Sequence, residues 1–468
     1  MLPLQTMWRQ LPPWLLQLGI VLLVCGYSVA LGMFAAKERL TLAMALVAAP
    51  AALLICALIA AHFQSFVLLL PLTALAVPLD LPSGTGSHLP ISLLLAIALC
   101  GIWLASMFVR GWKLAPSPLN RPLLVFGAVC VVSLLWGRLW RDPGLVDWNN
   151  RFIIVQVASL VTNLVSIGAC LLIGNFVTSE RQLKYIVALF MGCGTLMVLV
   201  QSFRIQQSFL NIRGLWSLWL IAPAFSLLVV QPSLGLPQRL LLIALLIFTF
   251  QQVMLRDSLW LSGWVPGIIV LFVIAFLRSW KLFLCVLIVG LICGYNYLEF
   301  FQRVAEDNVA EGGLERIELW EQNLRIVRDH WFLGTGPAGY ASYYATYFRE
   351  TSRSTHNNYF DILAQFGVVG AAAWLWVAGA SVWEGWRLSR RTPPGFLRML
   401  AITATGGWIA AMASMMLGDW ILPFAYNQTI TGYKYTVFSW IFLGTLISIR
   451  QLLDLPAEAS DEMGEEPG

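Results

Sequence analysis

Charge is scarce in this sequence: only 11% of its 468 residues are Asp, Glu, Lys or Arg, against about 25% in an ordinary soluble domain, while 59% are hydrophobic. A single soluble core cannot hide that much apolar surface, which excludes an ordinary globular enzyme. The balance of 29 Lys and Arg against 24 Asp and Glu leaves a formal charge of +5, too small over this length to suggest a nucleic-acid partner. Cysteine pairing is missing as well. The eight cysteines (Cys25, Cys56, Cys100, Cys130, Cys170, Cys193, Cys285 and Cys293) fall inside apolar runs, with no C-x-x-C pair and no His at ligand spacing. They read as small buried hydrophobes rather than as disulfide partners or metal ligands. There is no Asp-x-Asp pair, and histidine is down to four residues, His62, His88, His330 and His356.

Long apolar runs fill the space that charge leaves. A membrane-crossing helix needs about 20 mostly apolar residues, and only helices or closed barrels satisfy their backbone groups in hydrocarbon. The runs are continuous rather than alternating, which selects helices. The 21 Trp and 12 Tyr suit the aromatic belts of a membrane protein. The first run, Pro13 to Ala35, follows Arg9 without a convincing small-residue cleavage site and reads as a retained helix. Further runs lie at Leu40 to Ala61, Ser65 to Val77, Ile91 to Val109, Leu123 to Trp136, Phe152 to Val177, Tyr185 to Ser202 and Gly214 to Gln231. Leu240 to Leu255, Leu259 to Leu277, Leu282 to Leu298, Tyr359 to Ala380, Leu400 to Leu417 and Tyr435 to Ile449 complete the set. The expected fold is all-α, a polytopic transmembrane helix bundle of about 12–14 spans.

Orientation follows from Lys and Arg, which cytoplasmic loops retain. One set of loops carries Arg110, Lys113 and Arg121, then Arg181 and Lys184, Arg278 and Lys281, and Arg387, Arg390, Arg391 and Arg398. With that set inside, both termini are cytoplasmic, and the acidic stretch 451–468 is a solvated, disordered tail. Residues 1–298 form an N-terminal bundle, 299–358 a large extracytoplasmic loop and 359–450 the C-terminal helices. Arg138, Arg141, Arg151, Arg204, Arg213 and Arg256 then lie at outward helix ends or loops, against the usual bias. Headgroup contacts and ion pairs with Asp142, Asp147 and Asp257 would hold them, or a shared anionic ligand would. Arginine's planar fork binds phosphate oxygens in pairs.

The large loop has its own pattern. Leu314, Ile317, Trp320, Leu324, Val327 and Trp331 recur at steps of three and four, an amphipathic helix with these residues as its apolar stripe. Leu333-Gly334-Thr335-Gly336-Pro337-Ala338-Gly339-Tyr340 breaks it in a glycine-rich turn, which is no nucleotide loop because no Gly-Lys-Ser/Thr follows. Ser342 to Arg353 is rich in Tyr, Thr and Ser, a composition suited to contacting sugars or headgroups. His356 then stands at the outer mouth of the next span, either as a structural cap or as a functional group joining a polar loop to a buried helix.

The stretch from Leu314 to Gly370 resembles the shared signature of the O-antigen ligase and O-antigen polymerase superfamily. Leu314-Glu315-Arg316-Ile317-Glu318-Leu319-Trp320 is similar to the family's arginine-bearing helix, followed by its Leu-Gly-x-Gly-Pro turn. His356-Asn357 with Tyr359, Phe360, Leu363, Gly367 and Gly370 is similar to its His-Asn start of a span with paired glycines. The sequence departs from the pattern at Trp331, where the family commonly has Pro, at Gln365, where it often has Glu, and around Arg256, which lacks the Ser-Arg-Gly order.

The resemblance implies a GT-C-like glycosyltransferase of the bacterial cytoplasmic (inner) membrane. It would move a glycan from an undecaprenyl-diphosphate carrier to a glycan or lipid acceptor on the outer face, in surface polysaccharide biosynthesis. Carried over, His356 is the catalytic residue, Arg316, Arg213 and Arg256 bind the diphosphate, and Asn357 supports the histidine. Such chemistry needs a base at the acceptor hydroxyl and fixed positive charge on the departing phosphates. An imidazole and guanidinium groups can supply both, so the expectation is an inverting transferase with no metal and no cofactor, with Asp307, Glu311 and Asp361 as candidate helpers. The competing class is a transporter of a small anion or glycan. It would ordinarily need ionisable groups near mid-membrane, and Arg256, Asp361 and Glu384 sit at span ends.

Overall fold

A computed structural model describes residues 54–82, 87–111, 113–146, 152–205, 210, 214–256, 258, 260–308, 314–348, 354–425 and 430–454. The chain divides into two compact units, Met1–Phe63 and Gln64–Gly468. Of the first, the described part is helical over Leu54–Ala61. The expected span Pro13 to Ala35 and most of Leu40 to Ala61 lie outside the described residues.

The second unit is a helix bundle. Its elements are α1 (Phe63–Ala76), a hairpin of β1 (Asp80–Pro82) and β2 (His88–Pro90), α2 (Ile91–Arg110), α3 (Asn120–Leu139), α4 (Phe152–Phe176) and α5 (Glu180–Ser202). There follow α6 (Trp216–Val230), α7 (Leu236–Phe250) with a π-helical end (Gln251–Leu255), α8 (Leu261–Arg278), α9 (Trp280–Asn296) and α10 (Leu298–Asn308). The last are α11 (Leu314–Asp329), α12 (Tyr340–Tyr347), α13 (Asn358–Arg391), α14 (Phe396–Ser414) and α15 (Tyr433–Asp454). Every apolar run from Ser65 onward coincides with one of these helices. Among the described residues nine helices are long and apolar enough to cross a membrane, or up to eleven if each of two sharply bent pairs is one span; the apolar α6 is shorter. The fold is therefore all-α and multi-pass, as expected. The two three-residue strands, paired antiparallel with Asp80 opposite Pro90, are the exception among the described residues.

The core is centred on α15, which packs along α4 and α14; α8 and α6 pack in turn on α14 and on each other. Small residues let these helices approach closely. Gly444 leaves no room for a Cβ beside the Cys170 carbonyl and Ile173, and Gly174 none beside Ile447. Ser448 Oγ donates to the Ile173 carbonyl at 2.9 Å. Trp219 stacks on Phe442 at 4.1 Å and donates its Nε1 hydrogen to Ser439 Oγ at 3.2 Å. The Glu384 carboxylate of α13 is buried and ion-paired with Arg450 of α15 at 2.8 Å, fastening these two helices. At their other end, Lys434 meets Asp80 of the hairpin at 2.8 Å.

Helices α7 and α9 are the opposite case: α9 buries none of its residues, and α7 buries Leu242 and Thr249. Their outer surfaces are apolar and suit lipid. For Cys285 and Cys293, both on α9, this accounts for a departure from expectation in the cysteines. Cys130 and Cys170 are buried, but Cys56, Cys285 and Cys293 are exposed on the protein surface, and all those described are free thiols.

Candidate functional site

The span carrying the His-Asn motif is not one continuous helix. At Gly367 the backbone takes φ 64° and ψ −165°, which breaks α13 near the end of its N-terminal third. A broken helix in a membrane frees backbone groups that must find partners, and the glycine-rich turn supplies them. The N–H groups of Thr335 and Gly336 donate to the carbonyls of Ala364 and Gln365, both at 2.9 Å. On the other side of the break, the N–H groups of Val368 and Val369 donate to Trp331 and Phe332 at 2.8 and 3.3 Å. Such close backbone approach requires glycine. A Cβ at Gly367 would meet the Phe332 carbonyl, one at Gly334 the Gln365 carbonyl, and both residues have positive φ. Gln365 Oε1 accepts from the Ala338 N–H at 2.6 Å, which gives this departure from the family's usual Glu a structural role. The two motifs are thus one interlocked structure: the turn plugs the gap in the span.

Helix α11 packs against this structure through only part of the expected stripe: Val327 is buried and Trp320 is half-buried against the segment before α13. Among its described side chains Leu319, Gln322, Asn323, Ile326 and Val327 are buried, while Ile317 and Leu324, and Trp331 just past its end, are exposed. The inward face is rotated about a quarter turn and carries two amides; at 100° per residue, Leu319, Asn323 and Ile326 share one side. Tyr344 of α12 donates to the Leu319 carbonyl at 2.6 Å and fixes that rotation.

His356 sits where α11 meets the start of α13. It has φ 52°, a left-handed conformation that His adopts more readily than most residues but still at a cost. Its neighbours Ser354, Thr355, Asn357 and Asn358 are all buried, whereas His356 is half-buried. Asn357 caps α13, its side chain accepting from the Tyr359 N–H at 3.0 Å. Asn358 binds the loop after α14, accepting from Ile421 and Leu422 N–H and donating to the Leu422 carbonyl. Behind the turn lie two buried carboxyls, Asp361 and Asp419, hydrogen-bonded to each other. Tyr340 donates its hydroxyl to Asp361. Burial, and then these carboxyls, push the Tyr340 phenol well above its ordinary range, so it stays protonated and keeps the proton it donates.

Arg316 lies on the first turn of α11 and is half-buried. Trp320, one turn further along the same face, donates its Nε1 hydrogen to the Thr355 carbonyl at 2.9 Å and stacks on Phe360 at 5.3 Å. These contacts bring the Arg316 helix onto the His356 turn. Arg256 follows the π-helical end of α7, is exposed, and donates from Nη1 to the Gln201 carbonyl at the end of α5 at 2.9 Å. Its segment reaches the site through Trp260, whose ring meets Trp420, next to Asp419, at 6.2 Å. Arg213 lies outside the described residues, as do Arg151, Asp147, Asp257 and Glu311. Arg138 is exposed at the end of α3, Arg204 follows α5 with φ 54°, and Arg141 lies over the Phe152 ring at 5.2 Å.

Beside the site, Asp142 accepts from the Tyr347 hydroxyl and from the Gly144 N–H, and these bonds hold its carboxyl below the usual range. Tyr343 is pushed up to about 12, chiefly by burial, and His330, packed edge-on against Tyr343, is lowered by burial.

Sequence reasoning named Asp361 but missed Ser354, Asp419 and Tyr340. Of these only the hydroxyl pair before the histidine was visible locally; Asp419 and Tyr340 arrive from distant segments. Residues 240–375 match the family described as O-Antigen ligase. The matched stretch runs from α7 past the Gly367 break and includes Arg256, Arg316, His356 and Asn357, but not Arg213. No curated protein matches the chain.

Proposed function

For a chain that carries an O-antigen ligase family domain over residues 240–375, we propose transfer of a glycan from undecaprenyl diphosphate to a glycan or lipid acceptor at the outer face of the bacterial cytoplasmic membrane. The observation that carries this reading is the placement of His356. It is the half-buried residue of an otherwise buried turn, and the helix bearing Arg316 is docked on that turn through Trp320. This supports reading His356 as the general base and Arg316 as a phosphate-binding cation at one junction of loop and bundle.

In the proposed reaction the His356 imidazole takes the proton of the acceptor hydroxyl as that oxygen attacks the anomeric carbon. The bond from that carbon to the diphosphate oxygen breaks with inversion, and the negative charge left on the diphosphate is met by Arg316, Arg256 and Arg213. Guanidinium groups aimed at developing charge serve the purpose that a metal ion serves in other transferases. Asn357 supports the base by starting α13 directly after it. The Lys and Arg distribution sets the site outside the cytoplasm with both termini inside.

The test is His356→Ala expressed in a strain lacking the native gene. Loss of surface polysaccharide, with the variant present in the membrane, is the expected result; polysaccharide at normal levels overturns the catalytic role.

A further inference from the structure

The turn that presents His356 contains two hydroxyl residues in succession, each making the same pair of bonds. Ser354 Oγ accepts from the His356 N–H at 2.9 Å and donates to Asp419 Oδ1 at 2.7 Å. Thr355 Oγ1 accepts from the Asn357 N–H at 3.2 Å and donates to Asp361 Oδ1 at 2.7 Å. Both hydroxyls and both carboxyls are at most 1% exposed. Backbone hydrogens of the histidine and of the residue after it are thus each linked, through one hydroxyl, to one buried carboxyl pair.

A serine or threonine hydroxyl can close such a turn unaided, because it need only accept a bond from the N–H two residues on. Burying a second carboxyl behind it is costly unless the group is fully hydrogen-bonded, so the carboxyl contributes something that turn closure does not require. What it adds is direction. With its proton committed to Asp419, Ser354 Oγ keeps a lone pair aimed at the His356 N–H. That bond opposes relaxation of His356 from φ 52°, a conformation disfavoured for any residue with a Cβ.

We infer that Ser354 and Asp419 are positioning residues for His356: the Asp419 carboxyl orients the Ser354 hydroxyl, and that hydroxyl holds the histidine backbone in the left-handed conformation that presents its imidazole. This rests on the reading of His356 as the base. Neither residue touches the reacting atoms, and both act on the geometry of one that does. A base displaced by about 1 Å loses on the order of 10²-fold in rate.

The experiment uses the full-length protein in lipid nanodiscs, with undecaprenyl-diphosphate-linked glycan as donor and initial rates measured against donor concentration. Ser354→Ala lowers kcat by about tenfold or more, with the donor KM within about twofold of wild type, since only the base has moved. Ser354→Thr keeps the hydroxyl and restores kcat to within about threefold. Asp419→Asn lowers kcat like Ser354→Ala. If Asp419→Asn does not fold, Ser354→Cys, close in shape but a weak acceptor, takes its place and shows the same loss. Wild-type kcat in folded Ser354→Ala, or a change confined to KM, overturns the inference. His356→Gln in the same assay separates the two levels. If it turns over normally, the base assignment itself is wrong. If it is inactive while Ser354→Ala is unimpaired, the base stands and only the positioning role falls.

Discussion

His356 stands on a turn whose neighbours on both sides are buried and tied to a carboxyl pair, whereas Arg256 is exposed and its guanidinium meets a helix-end carbonyl, that of Gln201. Arg316 is intermediate: its helix is docked through Trp320 and Tyr344, but the residue itself is on the first turn and half-buried. The difference fits the two proposed tasks. A base works only within hydrogen-bond reach of one proton, so its backbone must be fixed in advance. A cation that holds a diphosphate can be drawn into place by the ligand, because charge-assisted bonds to phosphate are strong and reach over more than one geometry. Rigid framework on one side and adjustable charge on the other is what this contrast describes.

Substitutions can break or sharpen it. The largest effect belongs to His356→Ala, which should lower turnover of the lipid-linked donor by about 10²–10⁴-fold, the usual contribution of a general base, with the melting temperature little changed. Next is Gly367→Ala, which sets a Cβ against the Phe332 carbonyl at a positive φ. It should destabilise the protein by about 1–3 kcal/mol and impair activity through the loss of the plugged break, read as a lower melting temperature in detergent. A fully stable Gly367→Ala would mean that the turn and the span are not interlocked as described.

Arg316→Lys keeps the charge but loses the fork, and should raise the donor KM by about tenfold while leaving kcat within a few fold. An unchanged KM would remove Arg316 from the diphosphate. Arg256→Ala should cost about threefold, through donor KM and through a frayed α5 end.

The smallest effect is expected at Tyr347→Phe. The Tyr347 hydroxyl is the main reason the Asp142 carboxyl lies below the ordinary range. A lowered folded-state value contributes stability above the unfolded carboxylate pKa of about 3.9, and that contribution is lost as pH falls through the folded value. Tyr347→Phe should therefore reduce the melting temperature slightly at neutral pH and not at strongly acid pH. The site faces solvent, so the difference is small.

The helices were legible in the sequence because membrane crossing imposes length and hydropathy directly on the chain. Which side of each helix faces protein was not. Ile317, Leu324 and Trp331 belong to an apolar stripe that looks like a core face, yet they are exposed, and the inward face of α11, which keeps only Val327 of that stripe fully buried, also carries Gln322 and Asn323. Next to a bilayer, hydrophobicity marks two surroundings with one signal, and only packing tells them apart. The same ambiguity covers α9 and α15, both apolar, the one with no fully buried residue and the other at the centre of the bundle. Small and hydroxyl residues, Ser439, Gly444 and Ser448 among them, were the better sign of burial.

Within the candidate site, His356 and Arg316 could be put forward as candidates because each lies in a compact local pattern. The interlock between Thr335-Gly336 and Ala364-Gln365 could be sensed only as two glycine motifs occurring together. The Asp361 and Asp419 pair was out of reach, since its members lie on either side of the α13–α14 hairpin and neither has a distinctive neighbourhood in the chain. Arg213 shows the converse: it is readable as a candidate, but lies outside the described residues and outside the matched domain.

The most direct test is a reconstitution: the full-length protein in sealed vesicles, with the undecaprenyl-diphosphate-linked glycan and an acceptor supplied on the side of the 314–348 loop. The account predicts a new glycosidic product and released undecaprenyl diphosphate from wild type, with neither from folded His356→Gln. Solute flux across the vesicle without turnover of the lipid-linked glycan, or undiminished turnover by His356→Gln, would contradict it.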